Sequence, residues 1–282
     1  MAHLRHCSRG LPGASCGITR ADLSMALNMI SQALSDPRII VALDVLNRAE
    51  AEQLVERLGS FASFYKIGLQ LLATEGMAMA RDLKARGRSV FADWKLHDIG
   101  ATVEKASAAL AASGACDFLT VHAEPQVLAA AVRGRGEAPM KILGVTVLTS
   151  LNGQNLGEIG YSVGVDTLVE RRVRQALESG ADGVVSSPHE AAIARRVGGA
   201  DFLVVTPSIR PTSASEDDQV RTATPRYAIE NGASHLVVGR PITASRDPCA
   251  AIQAIASEIA DVVALRDADS SAPAAIVGVN SN

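Results

Sequence analysis

Short apolar runs rich in β-branched residues recur along this chain, at positions 38–45, 61–67, 89–92, 117–121, 140–148, 182–185, 201–205 and 235–238. Runs of that length, bounded by polar residues, suit strands buried on both faces, as in a parallel sheet. Between them the spacing changes: Leu54, Val55 and Leu58 follow the first run, and Val103, Ala106 and Leu110 follow the third. Those intervals put apolar side chains on one face of a helix. The alternation predicts roughly eight β-α units, and therefore a parallel sheet covered by helices.

Two architectures share this pattern, a closed (β/α)8 barrel and an open doubly wound sheet, and the polar residues separate them. Asp44, Lys66, Asp93, Lys95, His122, Thr149, Thr206 and Arg240 fall at or just beyond the C-terminal ends of the expected strands, drawn from nearly every unit. In a barrel those ends meet at one mouth, whereas in an open sheet they spread along an edge. A single site built from all of them implies an α/β chain with one (β/α)8 TIM-barrel domain, expected over residues 37–265.

Two segments flank it. Residues 1–36 carry Arg5, Arg9 and Arg20 with no acidic residue before Asp22. This composition fits a transit-like peptide or a loose extension upstream of a start at Met25 or Met29, and the loose extension is the preferred reading. Residues 266–282, rich in Ser, Ala and Asn, are expected to form a disordered tail.

Composition then narrows the function. With 48% hydrophobic residues a sizeable core is available, while a net charge of -3 and 3% aromatics leave neither the basic stripe nor the stacking platforms that nucleic acid requires. A small polar substrate fits better. The four cysteines, Cys7, Cys16, Cys116 and Cys249, form no CxxC pair and no zinc-ligand spacing, which suits reduced thiols in a cytoplasm. No apolar run is expected to cross a membrane.

The densest chemistry is Asp93-Trp-Lys95-Leu-His97-Asp98-Ile-Gly-Ala-Thr102, directly after the third apolar run. Strand alternation places Asp93 and Lys95 on one face, and Asp98 stands where the chain turns into a helix. The loops after the last two runs carry Arg210 and the stretch Gly239-Arg240-Pro-Ile-Thr243. Guanidinium forks with backbone N–H groups suit a dianionic phosphate, and barrels hold phosphates at these loops.

These motifs resemble the orotidine 5'-phosphate decarboxylase family across residues 38–264. The family's Asp-x-Lys-x-x-Asp-Ile signature stands here as Asp93 to Ile99, followed by Thr102; Asp44 and Lys66 match its first- and second-strand charges. The Thr146 to Ser150 run, Arg210, Gln219 and the phosphate motif Gly239 to Thr243 also match. Gly100-Ala101 and Ser208 depart from common family residues without removing a charged participant.

The resemblance implies decarboxylation of orotidine 5'-phosphate to UMP and CO2 in pyrimidine biosynthesis, with no cofactor and no metal. It implies that Lys95, held as an ammonium by flanking carboxylates, stabilises a C6 carbanion and donates the proton. Asp93 would lie near the departing carboxylate, with Lys66 pinning Asp93 and the ribose, and Asp44 accepting ribose hydroxyls. Thr149, Ser150 and Gln219 are implied pyrimidine and phosphate contacts, Gln219 in a loop read as a phosphate-gripping lid. Asp98 and Thr102 are implied to reach a neighbouring subunit's site, hence a homodimer.

Each residue also has a bland role to set against this. Asp44 and Asp98 suit helix N-caps, Lys66 suits a snorkelling strand lysine, and His97 and His122 suit structural hydrogen bonding. Rival chemistries are a magnesium-dependent sugar-phosphate enzyme of the same barrel type, a Schiff-base aldolase and a non-enzymatic nucleotide binder. Lys66 repels the metal of the first, the carboxylates around Lys95 oppose the neutral amine of the second, and a complete charge cluster is costly to keep for the third.

Overall fold

The computed structural model describes residues 35–211 and 222–271. The proposed extension therefore lies almost wholly outside the described residues, as do Gln219 and residues 272–282. The strands are β1 (Ile39–Ala42), β2 (Phe64–Gly68), β3 (Ser89–Leu96), β4 (Phe118–His122), β5 (Lys141–Val145), β6 (Gly183–Val185), β7 (Leu203–Thr206) and β8 (His235–Val238). They form a closed parallel barrel in sequence order, with β8 pairing β1 through Ile40 and Val237. That pairing removes both sheet edges and excludes the open alternative.

Two sets of side chains fill the structure. Ile40, Ala42, Phe64, Phe91, Phe118, Leu143, Val145, Val185, Val205 and Val237 pack inside the barrel. Alternate residues such as Ile39, Val41, Tyr65 and Ile67 face outward and are covered by helices. The helix Arg48–Leu58 buries Leu54, Val55 and Leu58 as their spacing predicts, and Asn47 caps it through Glu50 N–H at 3.0 Å. The helix Gly100–Ser113 differs slightly: Val103, Ser107 and Leu110 are buried, with Ala106 to the side. It packs closely on the helix Pro125–Arg135, where a Cβ on Gly134 would stand 2.1 Å from the Glu104 carbonyl oxygen. Only glycine permits that approach.

Several boundaries depart from the apolar runs. β2 begins at Phe64 because Gly59–Phe61 coils into a 3-10 turn. β3 continues past Ala92 to Leu96, and against β4 it advances four residues, Ala92 to Leu96, while β4 advances two, Leu119 to Val121. This bulge accommodates Lys95 at φ 49°, a left-handed backbone that a non-glycine residue adopts at a cost.

At the C-terminal end the helix Pro248–Ser271 runs past the expected boundary at Leu265. The expectation of no membrane-length apolar run also needs correcting, since Pro248–Leu265 has a mean hydropathy of 1.5. Ile252, Ile255, Ile259 and Val262 of this helix are buried, and it packs on the helices Pro225–Glu230, Arg240–Thr243 and Arg48–Leu58. Apolar residues at helical spacing raise the hydropathy of a core-packing helix in the same way.

Candidate active site

Four charged side chains line up across the mouth of the barrel. Lys66, on β2 and buried, donates to Asp44 Oδ1 at 2.7 Å and lies 3.5 Å from Asp93 Oδ2. Lys95, at the bulge of β3, donates to Asp93 Oδ1 at 2.8 Å. The order Asp44–Lys66–Asp93–Lys95 alternates in sign, so each inner charge has an opposite neighbour on both sides. A buried charge without a partner is strongly destabilising, and the array removes that cost for Lys66 and Asp93.

Burial alone would push the Asp93 carboxyl up. The ammonium groups of Lys66 and Lys95, with hydrogen bonds from Lys95 and Thr120, outweigh it and hold the group below the usual carboxylate range. Thr120, wholly buried on β4, donates to Asp93 Oδ1 at 3.1 Å and accepts from Lys95 N–H at 3.0 Å. One hydroxyl thus ties the carboxylate to the strained backbone of Lys95. Gly68 sits just above, and a Cβ there would stand 2.7 Å from Asp44 Oδ1 and 3.1 Å from Lys66 Nζ.

The array forms one wall of a cleft of about 500 Å³, whose lining also includes Thr149, Arg210, Gly239 and Arg240. Arg210 N–H bonds the Ala223 carbonyl at 2.9 Å, and Ile209 bridges Ala223, so the two chain segments at residues 211 and 222 leave the barrel side by side. Ser186 and Ser208 line the same cleft, and their buried hydroxyls have no hydrogen-bond partner among the described residues. Polar atoms held in that state suit a ligand that completes them.

Other expected residues stand elsewhere. Asp98 and Thr102 are exposed and outside the cleft lining, as is Ser150. Asp98 Oδ1 accepts from Ile99 N–H at 2.6 Å. The N-cap of Gly100–Ser113 is Ile99, and that of Arg48–Leu58 is Asn47, so neither aspartate serves as the cap. His97 and His122 stack at 4.7 Å between ring centroids outside the cleft.

Residues 37–255 match the family model described as orotidine 5'-phosphate decarboxylase / HUMPS family. An orotidine 5'-phosphate decarboxylase of Caulobacter sp. (strain K31) is 58% identical over 226 residues, which is 80% of this chain and 98% of that protein. The chain belongs to the orotidine 5'-phosphate decarboxylase family. The relative of the same name from Rhodopseudomonas palustris (strain BisA53) is 50% identical over 231 residues, covering 82% of this chain and 98% of the relative. Among solved structures, the orotidine 5'-phosphate decarboxylase of Lactobacillus acidophilus matches with a TM-score of 0.69 and 37% identity, over 79% of this chain and 99% of that one.

Family membership agrees with the sequence resemblance, and the structure adds residues that the pattern did not single out. Thr120 hides in the β4 run, where a β-branched residue reads as an ordinary strand former. Ser186 reads as a polar strand end. Ser208, noted as a departure where glycine is common in the family, adopts φ 65°, a left-handed backbone that explains the glycine preference. A hydroxyl at alternating spacing with charges, as in Thr120 two residues before His122, was the available signal for an inward-facing position.

Proposed function

We propose that this protein decarboxylates orotidine 5'-phosphate to UMP and CO2 in pyrimidine biosynthesis, without a metal or cofactor. The observation that carries the reading is the Asp44–Lys66–Asp93–Lys95 array on one wall of a cleft that also holds Arg210 and Arg240. Arg210, Arg240 and the backbone at Gly239 bind the phosphate dianion, with Gln219 as a further contact. Asp44 and Lys66 bind the ribose hydroxyls, and Thr149 serves the pyrimidine, with Ser150 next to it but outside the cleft lining.

Phosphate and ribose binding hold C6 of the ring over Asp93 and Lys95, so that remote binding energy acts at the reacting carbon. The bond from C6 to the carboxylate carbon breaks, CO2 leaves, and the electron pair remains on C6. The Lys95 ammonium, preorganised by Asp93, stabilises that carbanion and transfers a proton to it, forming the C6–H bond of UMP. The resulting amine regains its proton from solvent. Asp93, kept ionised by its two lysines, places negative charge beside the departing carboxylate and fixes the lysine that follows.

Asp98 and Thr102, exposed on the protomer, complete the site of a second copy in a cytoplasmic homodimer. Loss of orotidine 5'-phosphate absorbance on adding the protein, with EDTA present and with Lys95→Ala in parallel, tests the reaction. Conversion that survives EDTA and vanishes in the variant is the expected result; no conversion by the wild-type chain overturns it. Mixing Asp98→Asn with Lys95→Ala tests the shared site: the mixture regains activity that neither variant has alone if Asp98 serves its neighbour.

A further inference from the structure

A second group of donors lies beside the cleft and outside the reaction just described. His97 follows β3 directly, His122 ends β4, and Glu124 stands two residues beyond it. One ring nitrogen from each histidine and one carboxylate oxygen of Glu124 lie within 4.8 Å of one another. His97 Nε2 and Glu124 Oε2 are 3.3 Å apart. Ligands at about 2.0–2.1 Å from a tetrahedral Zn2+ stand roughly 3.3–3.5 Å from each other, so this pair already has ligand spacing. The His97 ring is more than half exposed and has room to close the remaining separation.

A second observation points to a cation. Glu124 Oε2 is buried and, among the described residues, accepts no hydrogen bond, its neighbour being His97 Nε2 at 3.3 Å, while Oε1 faces the Arg172 guanidinium at 3.3 Å. Arg172 already pairs this carboxylate through Oε1, and the buried Oε2 still gains from a further positive charge. The His97 imidazole supplies one only when protonated. Arg172, itself bonded to the Tyr161 hydroxyl at 2.7 Å, holds the carboxylate in one orientation, as an outer-shell partner of a metal ligand does.

We propose that His97, His122 and Glu124 form a binding site for a divalent transition-metal ion of the Zn2+ class. Two imidazole nitrogens and one carboxylate favour such an ion over Mg2+, which takes oxygen ligands. The ion plays no part in bond breaking. It joins the segment that carries Asp98 to the end of β4, and the positive charge of Arg172 makes the site weaker than a structural zinc centre.

The test is calorimetric titration of the EDTA-stripped full chain with Zn2+, and of the same protein with Co2+ followed by visible absorbance. The expected result is binding of about one ion per chain at this site, with a Co2+ ligand-field band. Both are lost in His97→Ala and in Glu124→Gln, and Mg2+ gives no heat. The N-terminal segment offers a separate donor set in His3, His6 and Cys7. A Zn2+ step unchanged in both variants assigns the ion there and overturns the proposal, as does the absence of any Zn2+ step in the wild-type chain.

Discussion

The two ends of this barrel are built on the same strands and do opposite things. Along β2 the inward positions read Phe64, Lys66, Gly68; along β3, Phe91, Asp93, Lys95; along β4, Phe118 and Thr120. Each begins with an aromatic ring and ends at a polar or glycine position. Towards the floor Phe64 and Phe118 meet edge to face at 5.0 Å, Phe91 and Phe118 at 5.9 Å, and the His235 ring stands 5.3 Å from Phe118. Those contacts are apolar and close-packed. At the mouth, by contrast, lie ion pairs, hydroxyls of Ser186 and Ser208 that have no partner among the described residues, and the left-handed backbones of Lys95 and Ser208. Aromatic packing is concentrated at the floor, and the left-handed non-glycine backbones among the described residues lie at the mouth.

Changes at the two ends should therefore separate activity from stability. Lys95→Ala at the mouth removes both the charge that meets the carbanion and the proton donor. The expected loss in kcat is on the order of 10⁴-fold or more. Thermal unfolding should shift far less than in a floor variant, and an equal collapse of both properties would contradict the division. Phe118→Ala opens the floor and should destabilise by about 3–5 kcal/mol in urea titrations. Its kcat/KM per folded molecule should stay near that of the wild-type chain.

His235 sharpens the contrast through pH. Burial, with Asp36 opposing and Arg38 adding to it, holds its pKa down at about 4, against 6.5 in an exposed histidine. Its contribution is fully present above the unfolded value and is lost as pH falls from 6.5 towards 4, because the unfolded chain takes up the proton first. The wild-type chain should lose roughly 2 kcal/mol at pH 5 from this group, read from urea unfolding at several pH values. His235→Gln should flatten that part of the profile. The smallest effect is expected for Gly68→Ala, whose new Cβ displaces Asp44 and Lys66. It should lower kcat/KM by about tenfold with little change in unfolding.

Much of the mouth was legible because local rules report on it. Alternation placed Asp93 and Lys95 together, and they bond at 2.8 Å. Asp44, Lys66, Thr149 and Arg240, expected at strand ends, and Arg210 and Gly239, expected in the last two loops, line the cleft, whereas His122 and Thr206, expected at strand ends as well, do not. Thr120 and Ser186 were not picked out, since a hydroxyl within or ending an apolar run has the same local signature whether or not it serves a site. The apolar run ends at Ala92, and although alternation set Asp93 and Lys95 on one face, the continuation of β3 to Leu96 depends on pairing with β4 across a bulge.

From the order of residues alone follow the β-α alternation, the placement of charge at strand ends and the resemblance to one family, because these depend on neighbours a few positions apart. Closure of the sheet, the 3.5 Å approach of Lys66 to Asp93, the left-handed turn at Lys95 and the outward stance of Asp98 and Thr102 were settled by the tertiary structure. Each depends on register between strands or on packing between segments that are distant in the chain, and no local periodicity encodes those distances.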